Sequence, residues 1–186
     1  MNADGVVARP DAEAQGRSHD AARTVTLAVA GFLSLLGVIR YELQAETFVV
    51  VFAVFALVVI SRHDLERHII PNRIVLPAWG AVLVAHIALH PEHWAEWLVA
   101  SFGAALFFLV IALAYPAGLG MGDVKLCLLI GALLGWAVAP ALFLGTLAAG
   151  IVSAAILFRE GSAARKRSIP LGPFLAGAAL VVLLFL

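Results

Sequence analysis

Residues 96–138 read EWLVASFGAALFFLVIALAYPAGLGMGDVKLCLLIGALLGWAV, two apolar runs joined by a glycine-rich stretch that carries a single carboxylate. Both runs, 96–116 and 124–138, are candidate membrane helices. Between them, Gly118, Gly120 and Gly122 occupy every second position, and Asp123 follows directly. An acid at the boundary of an apolar helix is costly in a membrane and by default marks function.

The composition of the whole chain indicates an integral membrane protein. Hydrophobic residues make up 63% of the 186 positions and charged residues 13%, and the mean hydropathy is +1.02, whereas soluble domains are roughly 45–50% apolar. The formal net charge is zero and the basic residues are scattered among short loops, so no nucleic acid partner is expected. A single cysteine, Cys127, cannot form an internal disulfide, and we interpret it as a small apolar core residue.

The sequence divides into a polar tail, residues 1–23, and one membrane-embedded domain, residues 24–186. The tail lacks the basic start and apolar core of a secretory signal, so we expect it to be disordered and cytoplasmic. We predict that the domain is all-α, a polytopic bundle of about seven transmembrane helices, with six as the alternative. The apolar runs cover residues 24–39, 46–61, 74–90, 96–116, 124–138, 140–158 and 169–186.

Two borders in this division are the least clearly marked. The uninterrupted apolar core of the second run, Phe48–Ile60, is shorter than the roughly 17–25 residues of a span, so flanking residues must complete it. The fifth and sixth runs are separated by little more than Pro140, whose ring disfavours helical geometry in the preceding residue. We therefore predict a tight helical hairpin that breaks at this proline.

The basic residues predict the orientation of the bundle. If the odd-numbered helices run outward, 11 of the 12 Lys and Arg residues lie on the cytoplasmic side and only Arg40 lies on the other. Because Lys and Arg accumulate on the cytoplasmic side of membrane proteins, we expect the N-terminus inside and the C-terminus outside. The cluster at 165–167 would anchor that face, and anionic lipid headgroups are its alternative partner.

This orientation places two acids at the same membrane face. Asp64 ends the second run in VVISRHDLERHIIPN, and Asp123 begins the fifth. Either acid alone could be an interfacial helix cap, whereas the pair favours a functional site. The alternating glycines before Asp123 would let the backbone leave helical geometry and pack closely, as a loop lining a wet cavity must.

Other chemistries fit these residues less well. A P-loop needs a Lys-Ser/Thr pair directly after its last glycine, and the dinucleotide fingerprint needs a preceding strand. His63 and His68 flank Asp64, but no His or Cys cluster lies near Asp123 in the sequence, so we predict no metal site and no cofactor. A proton-coupled transporter stays open, although repeated halves and mid-span acids are not evident. A catalytically inert assembly factor also stays open.

The stretch GLGMGDVKL resembles the GxGD signature of the prepilin peptidases, the type IV leader peptidase family of intramembrane aspartic proteases. DLERHIIPN is similar to the first-aspartate motif of that family, and IPLGPFLAGA, residues 169–178, to the Pro-rich opening of its last helix. The resemblance runs in order from about Gly31 to the C-terminus. An insertion with paired CxxC motifs, found in the larger bifunctional members, is not seen, so N-methylation is not expected.

The resemblance implies an aspartic endopeptidase that removes a short basic leader from pilin-like precursors. It would act at the cytoplasmic face of a bacterial inner or archaeal cytoplasmic membrane, on a type IV pilin, Tad-type pilin, secretion pseudopilin or archaeal flagellin. Asp64 and Asp123 match the catalytic aspartates, and the oligomeric state stays open. The other candidates are the loop residues Gly118, Gly120, Gly122 and Lys125, the structural positions Pro71, Asn72, Pro170, Gly172 and Pro173, and the leader-binding acids Glu66 and Glu160.

The chemistry expected of this pair needs neither a metal nor a covalent intermediate. Two carboxyl groups that share a site do not both ionise readily, so one holds a proton while the other activates a water. The protonated acid then polarises the scissile carbonyl and donates a proton to the leaving amine. Asp123 begins a helix and Asp64 ends one, so helix dipoles predict that Asp123 is the base and Asp64 the acid within a coupled titration.

Overall fold

The computed structural model of the chain describes residues 22–35, 45–116, 118–160 and 170–185, and all regular structure in these residues is helical. One α-helix overlaps each of the seven predicted runs. We number them α1 (Ala22–Leu35), α2 (Ala45–Arg67), α3 (Asn72–Leu89), α4 (Trp94–Ala114), α5 (Met121–Leu134), α6 (Val138–Glu160) and α7 (Gly172–Phe185). Because α1 begins at Ala22, it includes the last two residues of the predicted tail. The remainder of the tail lies outside the described residues.

Four stretches of the described chain are long and apolar enough to cross a membrane: Ala45–Arg67, Asn72–Leu89, Pro91–Ala114 and Met121–Arg159. The helices α1 and α7 are shorter and also apolar. The prediction of a helical membrane protein is therefore confirmed. The number of spans and the sides of the two termini stay predictions.

Helix α2 continues beyond its apolar run, as the short core of that run required. It extends through Asp64 to Arg67. Arg62 Nε and Glu66 Oε1, one turn apart, form an ion pair of 2.7 Å that supports the last turn. The helix ends where His68 takes a left-handed backbone conformation, with φ of 53°.

The chain breaks between α5 and α6 at Gly135, and the prediction that it breaks at Pro140 is wrong. Gly135 has φ of 55° and ψ of −134°, a combination that is nearly confined to glycine. Pro140 lies in the first turn of α6, where its missing N–H costs no helical hydrogen bond. A one-turn 3-10 segment, Gly135–Ala137, joins the two helices.

Helix α6 then returns along the bundle. Its residue Gly145 packs so closely against α7 that a Cβ there would lie 3.0 Å from the Cα of Leu175, near the start of α7. Ala137, just before α6, instead lines a cavity with Leu183, near the end of α7. The two helices are therefore antiparallel.

The core is centred on α5, which packs against α3 and α4, while α7 packs against α2 and α6. Leu126, Leu129 and Ile130 of α5 are fully buried, as is Cys127, which agrees with the interpretation of Cys127 as a core residue. Polar links cross this core. The Ser101 hydroxyl of α4 accepts a hydrogen bond from Trp79 of α3 at 2.8 Å and donates one to a carbonyl of α5 at 2.8 Å.

Candidate active site

Two buried acids lie together at one end of the bundle, which we call the aspartate end. Asp64 is in the last turn of α2 and Asp123 is in the first turn of α5. Their exposed fractions are only 6% and 9%. The segments that carry them are in contact, because a Cβ at Gly122, beside Asp123, would lie 2.9 Å from Cβ of Ile70, six residues after Asp64.

Asp123 is held by the turn that precedes α5. Its Oδ2 accepts a hydrogen bond from the backbone N–H of Gly120 at 3.2 Å, and its own N–H donates to the Gly120 carbonyl at 3.1 Å. This reciprocal pair resembles half of a capping box and places the carboxyl at a helix N-terminus. A Cβ at position 120 would lie 3.3 Å from Oδ2, so a side chain at this position would crowd the carboxyl group, and glycine avoids this contact.

Asp64 is held from the other side of the site by α7. Its Oδ2 accepts a buried hydrogen bond of 3.0 Å from the backbone N–H of Gly172, the first residue of α7. A Cβ at position 172 would lie 2.6 Å from the same oxygen, so only glycine allows this approach. Pro170 precedes the helix, and Pro173 lies in its first turn, where no N–H is needed.

This contact weakens the reason for assigning separate roles to the two acids. The sequence argument placed Asp123 at a helix start and Asp64 at a helix end. In the structure Asp64 also faces the start of α7, so each carboxyl accepts one amide hydrogen bond at a helix N-terminus. The C-terminal end of α2 and the N-terminal end of α7 act on Asp64 in opposite directions, so helix dipoles distinguish base from acid less than the sequence suggested. The assignment of Asp123 as base stays a prediction.

The other two loop glycines permit close packing. A Cβ at position 122 would lie 2.9 Å from Cβ of Ile70, which belongs to the connection between α2 and α3. Gly118 lies against the ring of Tyr115, too close for any side chain, and its N–H donates to the Tyr115 carbonyl at 3.0 Å. Gly122 thus lets α5 approach the segment that follows Asp64.

Lys125 and Asn72 form a polar link beside the pair of acids. Lys125 Nζ donates to Asn72 Oδ1 at 2.7 Å, in an exposed position. Asn72 is the first residue of α3, and Pro71 precedes it with φ of −74°. The link connects the start of α5 to the start of α3.

The structure describes the side chain of only one of the two acids expected to bind the leader. Glu66 is ion-paired with Arg62 and lines a cavity with Arg23 of α1. Because it lies two residues after Asp64 on a helix, it faces roughly the opposite side of α2. The side chain of Glu160 is outside the described part of the structure.

An apolar cavity of about 710 Å³ lies between α4 and α6. It extends to Leu119 and Leu171, each of which directly precedes a glycine that donates a hydrogen bond to an aspartate. Sequence reasoning missed this cavity because no motif marks a groove between two apolar helices. The only signal was a stripe of small residues on α4, which includes Ala100, Gly103 and Ala104.

No three His, Cys, Asp or Glu side chains in the described ranges are arranged to hold a metal ion. His63 Nδ1 lies 3.1 Å from the carbonyl of Val59, one turn earlier in α2. His68 ends the same helix, and its N–H donates to the Asp64 carbonyl at 2.8 Å.

The fold and the site define a class: a helical membrane protein whose two buried aspartates meet at one end of the bundle, each bonded to a glycine N–H. A sequence profile described as the type IV leader peptidase family matches residues 50–158. This is more than half of the chain and includes both aspartates. The chain belongs to this family.

Several relatives share the similarity. The chain is 27% identical over 147 residues to the prepilin leader peptidase/N-methyltransferase of Bacillus subtilis, across 79% of the chain and 59% of the relative. It is 28% identical to the protein of the same description from Pseudomonas putida, across 82% of the chain and 55% of the relative. To the leader peptidase HopD of Salmonella typhimurium it is 35% identical, across 74% of the chain and 92% of the relative.

The chain thus covers a little over half the length of the first two relatives and nearly all of HopD. No solved structure matches the chain.

Proposed function

We propose that this protein is an aspartic endopeptidase that removes the leader peptide from prepilin-like precursors, with Asp64 and Asp123 as its catalytic residues. The observation that carries the proposal is the location of two buried carboxyl groups at the same end of the bundle, each accepting a hydrogen bond from one glycine N–H. Membership of the leader peptidase family and the printed descriptions of the relatives support the reaction class.

The pair can perform peptide hydrolysis by itself. One carboxylate takes a proton from a water molecule as the water attacks the scissile carbonyl, and the protonated partner donates its proton to the carbonyl oxygen. As the C–N bond breaks, the first acid passes the proton that it took from water to the leaving amine, and the partner takes back a proton from the former carbonyl oxygen. The hydrogen bonds to Gly120 and Gly172 use one oxygen of each acid, Oδ2. The other oxygen, Oδ1, is thus left for water and substrate.

The cavity between α4 and α6 supports the proposal that part of the substrate lies within the membrane. It is lined mainly by apolar residues, among them Phe107, Phe108 and Phe143, and it extends to the residues beside the two hydrogen-bonded glycines. An apolar segment of a precursor that lay in this cavity would bring its polar end to the aspartates. The location of both acids at one end of the bundle favours a peptidase over a transporter, which commonly carries its acids at mid-span.

We also propose that the aspartate end faces the cytoplasm. The described basic residues near this end are Arg23, Arg62, Arg67, Arg73, Lys125 and Arg159. No described Lys or Arg lies at the opposite end, where the 3-10 segments Pro91–His93 and Gly135–Ala137 are found. Because positive charge collects on the cytoplasmic side, this distribution supports a cytoplasmic N-terminus and seven spans.

A cleavage assay in membranes tests the proposal. The chain is coexpressed with precursors of type IV pilins, Tad-type pilins, secretion pseudopilins and archaeal flagellins, as wild type, Asp64→Asn, Asp123→Asn and the control Glu92→Gln. Glu92 is an exposed acid at the opposite end. We expect wild type and control to cleave at least one precursor, and each Asp variant to lose at least about a thousandfold in rate.

Folding is checked separately in the same membranes. Cys127 is the chain's only cysteine and is fully buried, so protection of its thiol from a maleimide reports on the folded state. Cleavage that persists in a folded Asp variant would exclude the two-aspartate mechanism. If the folded wild type cleaves no precursor, an inert assembly factor becomes the better interpretation.

A further inference from the structure

A groove between α1 and α2 lies on the far side of α2 from the catalytic pair. It consists of two adjoining cavities that share Leu27, one of about 430 Å³ at the aspartate end and one of about 470 Å³ further along the helices. The first cavity is lined by charged residues and the second almost entirely by apolar ones. The groove is therefore amphipathic along its length.

The charged end carries excess positive charge. Arg23 of α1 and Arg62 and Arg67 of α2 line it, together with His63 and a single acid, Glu66. Arg62 is paired with Glu66 at 2.7 Å. In the described part of the chain neither Arg23 nor Arg67 has an ion-pair partner. Two guanidinium groups thus remain available for an anion at this end.

The apolar end is open to a hydrocarbon chain. Phe48, Phe52 and Phe55 of α2 line it and are 73%, 45% and 46% exposed. Opposite them, Gly31 of α1 leaves empty space, because a Cβ there would meet no atom within 4 Å.

The groove is at least as long as one leaflet of a bilayer. At 1.5 Å per residue, its lining on α1, from Arg23 to Ser34, is about 16 Å long, and its lining on α2, from Phe48 to Arg67, is about 28 Å long. The hydrocarbon core of a bilayer is about 30 Å thick, so one leaflet contributes about 15 Å.

From these features we infer that the groove binds one anionic phospholipid, with its phosphate between Arg23 and Arg67 and an acyl chain along Leu27, Gly31 and the phenylalanines of α2. Guanidinium groups bind phosphate oxygens well because their donors form a planar fork. The lipid would belong to the leaflet at the aspartate end and would brace α1 against the helix that carries Asp64. This site does not depend on peptidase activity.

The plain alternative is that the arginines only anchor the chain among many headgroups, with no particular lipid bound. Binding stoichiometry separates the two cases. The full chain, purified in detergent, is titrated with phosphatidylglycerol or with phosphatidylcholine of the same acyl chains, and bound lipid is counted by native mass spectrometry. We expect one phosphatidylglycerol per chain to be retained at concentrations where phosphatidylcholine is not.

Matched variants localise the site. Arg23→Gln and Arg67→Gln should each weaken phosphatidylglycerol binding about fivefold, the effect of one basic residue near a membrane surface, and together about 25-fold. Arg159→Gln removes the same charge from the exposed end of α6 and should change nothing. Gly31→Leu should block the acyl chain and weaken binding at least tenfold. Gly150→Leu, at a helix position with equally open space, is its control.

Three results would overturn the inference. Equal retention of both lipids would show that no anionic site exists. Equal weakening by Arg159→Gln would show that charge acts through the membrane surface as a whole. Displacement of the lipid by soluble glycerol phosphate at equal concentration, with no effect of Gly31→Leu, would show a phosphate site that does not use the apolar groove.

Discussion

Replacement of Gly172 by alanine tests how the first aspartate is positioned. The added Cβ would lie 2.6 Å from Asp64 Oδ2 and 3.2 Å from its Cγ, whereas an ordinary contact begins at 3.4 Å, so the carboxyl and the start of α7 must separate by about 0.8 Å. That shift would lengthen the 3.0 Å hydrogen bond from the Gly172 N–H beyond its useful range.

Two separate losses should follow from this displacement. Misplacing a catalytic group by about 1 Å can cost about 100-fold in rate, so we expect leader cleavage by Gly172→Ala to fall by about that factor. Loss of a buried hydrogen bond should lower the free energy of unfolding by about 1–3 kcal/mol. Cleavage rates are measured on a precursor that wild type processes, and stability is measured by reaction of Cys127 with a maleimide during thermal unfolding.

Gly177→Ala is the control for the same substitution in the same helix. A Cβ at position 177 meets no atom within 4 Å, so the alanine should leave cleavage unchanged and stabilise α7 by up to about 1 kcal/mol through helix propensity. If Gly172→Ala cleaves as fast as Gly177→Ala, the contact between α7 and Asp64 does not position the carboxyl that we propose to be catalytic.

Three further substitutions test the packing of the helices, one of them beside the site. Gly131→Ala should destabilise the protein by at least about 2 kcal/mol, because its Cβ would lie 2.5–2.8 Å from backbone atoms of α4. Gly80→Ala is the control and should not destabilise the protein, because a Cβ there meets no atom within 4 Å. Thermal unfolding of the two variants compares them. Gly122→Ala should slow cleavage by pressing on Ile70 Cβ at 2.9 Å. Adding Ile70→Gly, which removes that atom, should restore part of the rate in a double-mutant cycle. Pro140→Ala should change the unfolding free energy by less than about 0.5 kcal/mol, because the proline lies in the first turn of α6; a larger loss would mean that Pro140 does shape the hairpin.

The helices were the easiest part to predict from the sequence, and their ends the hardest. Apolar runs identify residues that face lipid or core, but a helix continues as long as its backbone N–H and C=O groups have hydrogen-bond partners. This is why α2 extends past residue 61 to Arg67, supported by the pair of Arg62 and Glu66. The position of the break before α6 was misjudged for a related reason, since a proline is acceptable in a first turn while the conformation of Gly135 is open to little except glycine.

The location of the two acids at one end followed from counting helices and basic residues, and the structure places both there. Their local partners could not be derived in the same way. The bond from Gly172 to Asp64 joins residues 108 positions apart, and no periodicity or charge pattern reports a contact between a backbone N–H and a distant carboxyl. Only the resemblance of the segment 169–178 to a known helix opening pointed to it.

The two hydrogen bonds give the candidate site an unexpected symmetry. Asp123 accepts a hydrogen bond from the turn before its own helix, and Asp64 accepts an equivalent one from the start of α7, so the amide donors of the two acids are alike. A mechanism with one acid and one base still requires a difference between them. The hydrogen bonds supply none, so that difference has to arise from other surroundings. These are the C-terminal end of α2, which lies beside Asp64 alone, and the bound precursor with the attacking water, whose placement the cavity between α4 and α6 would govern from one side only.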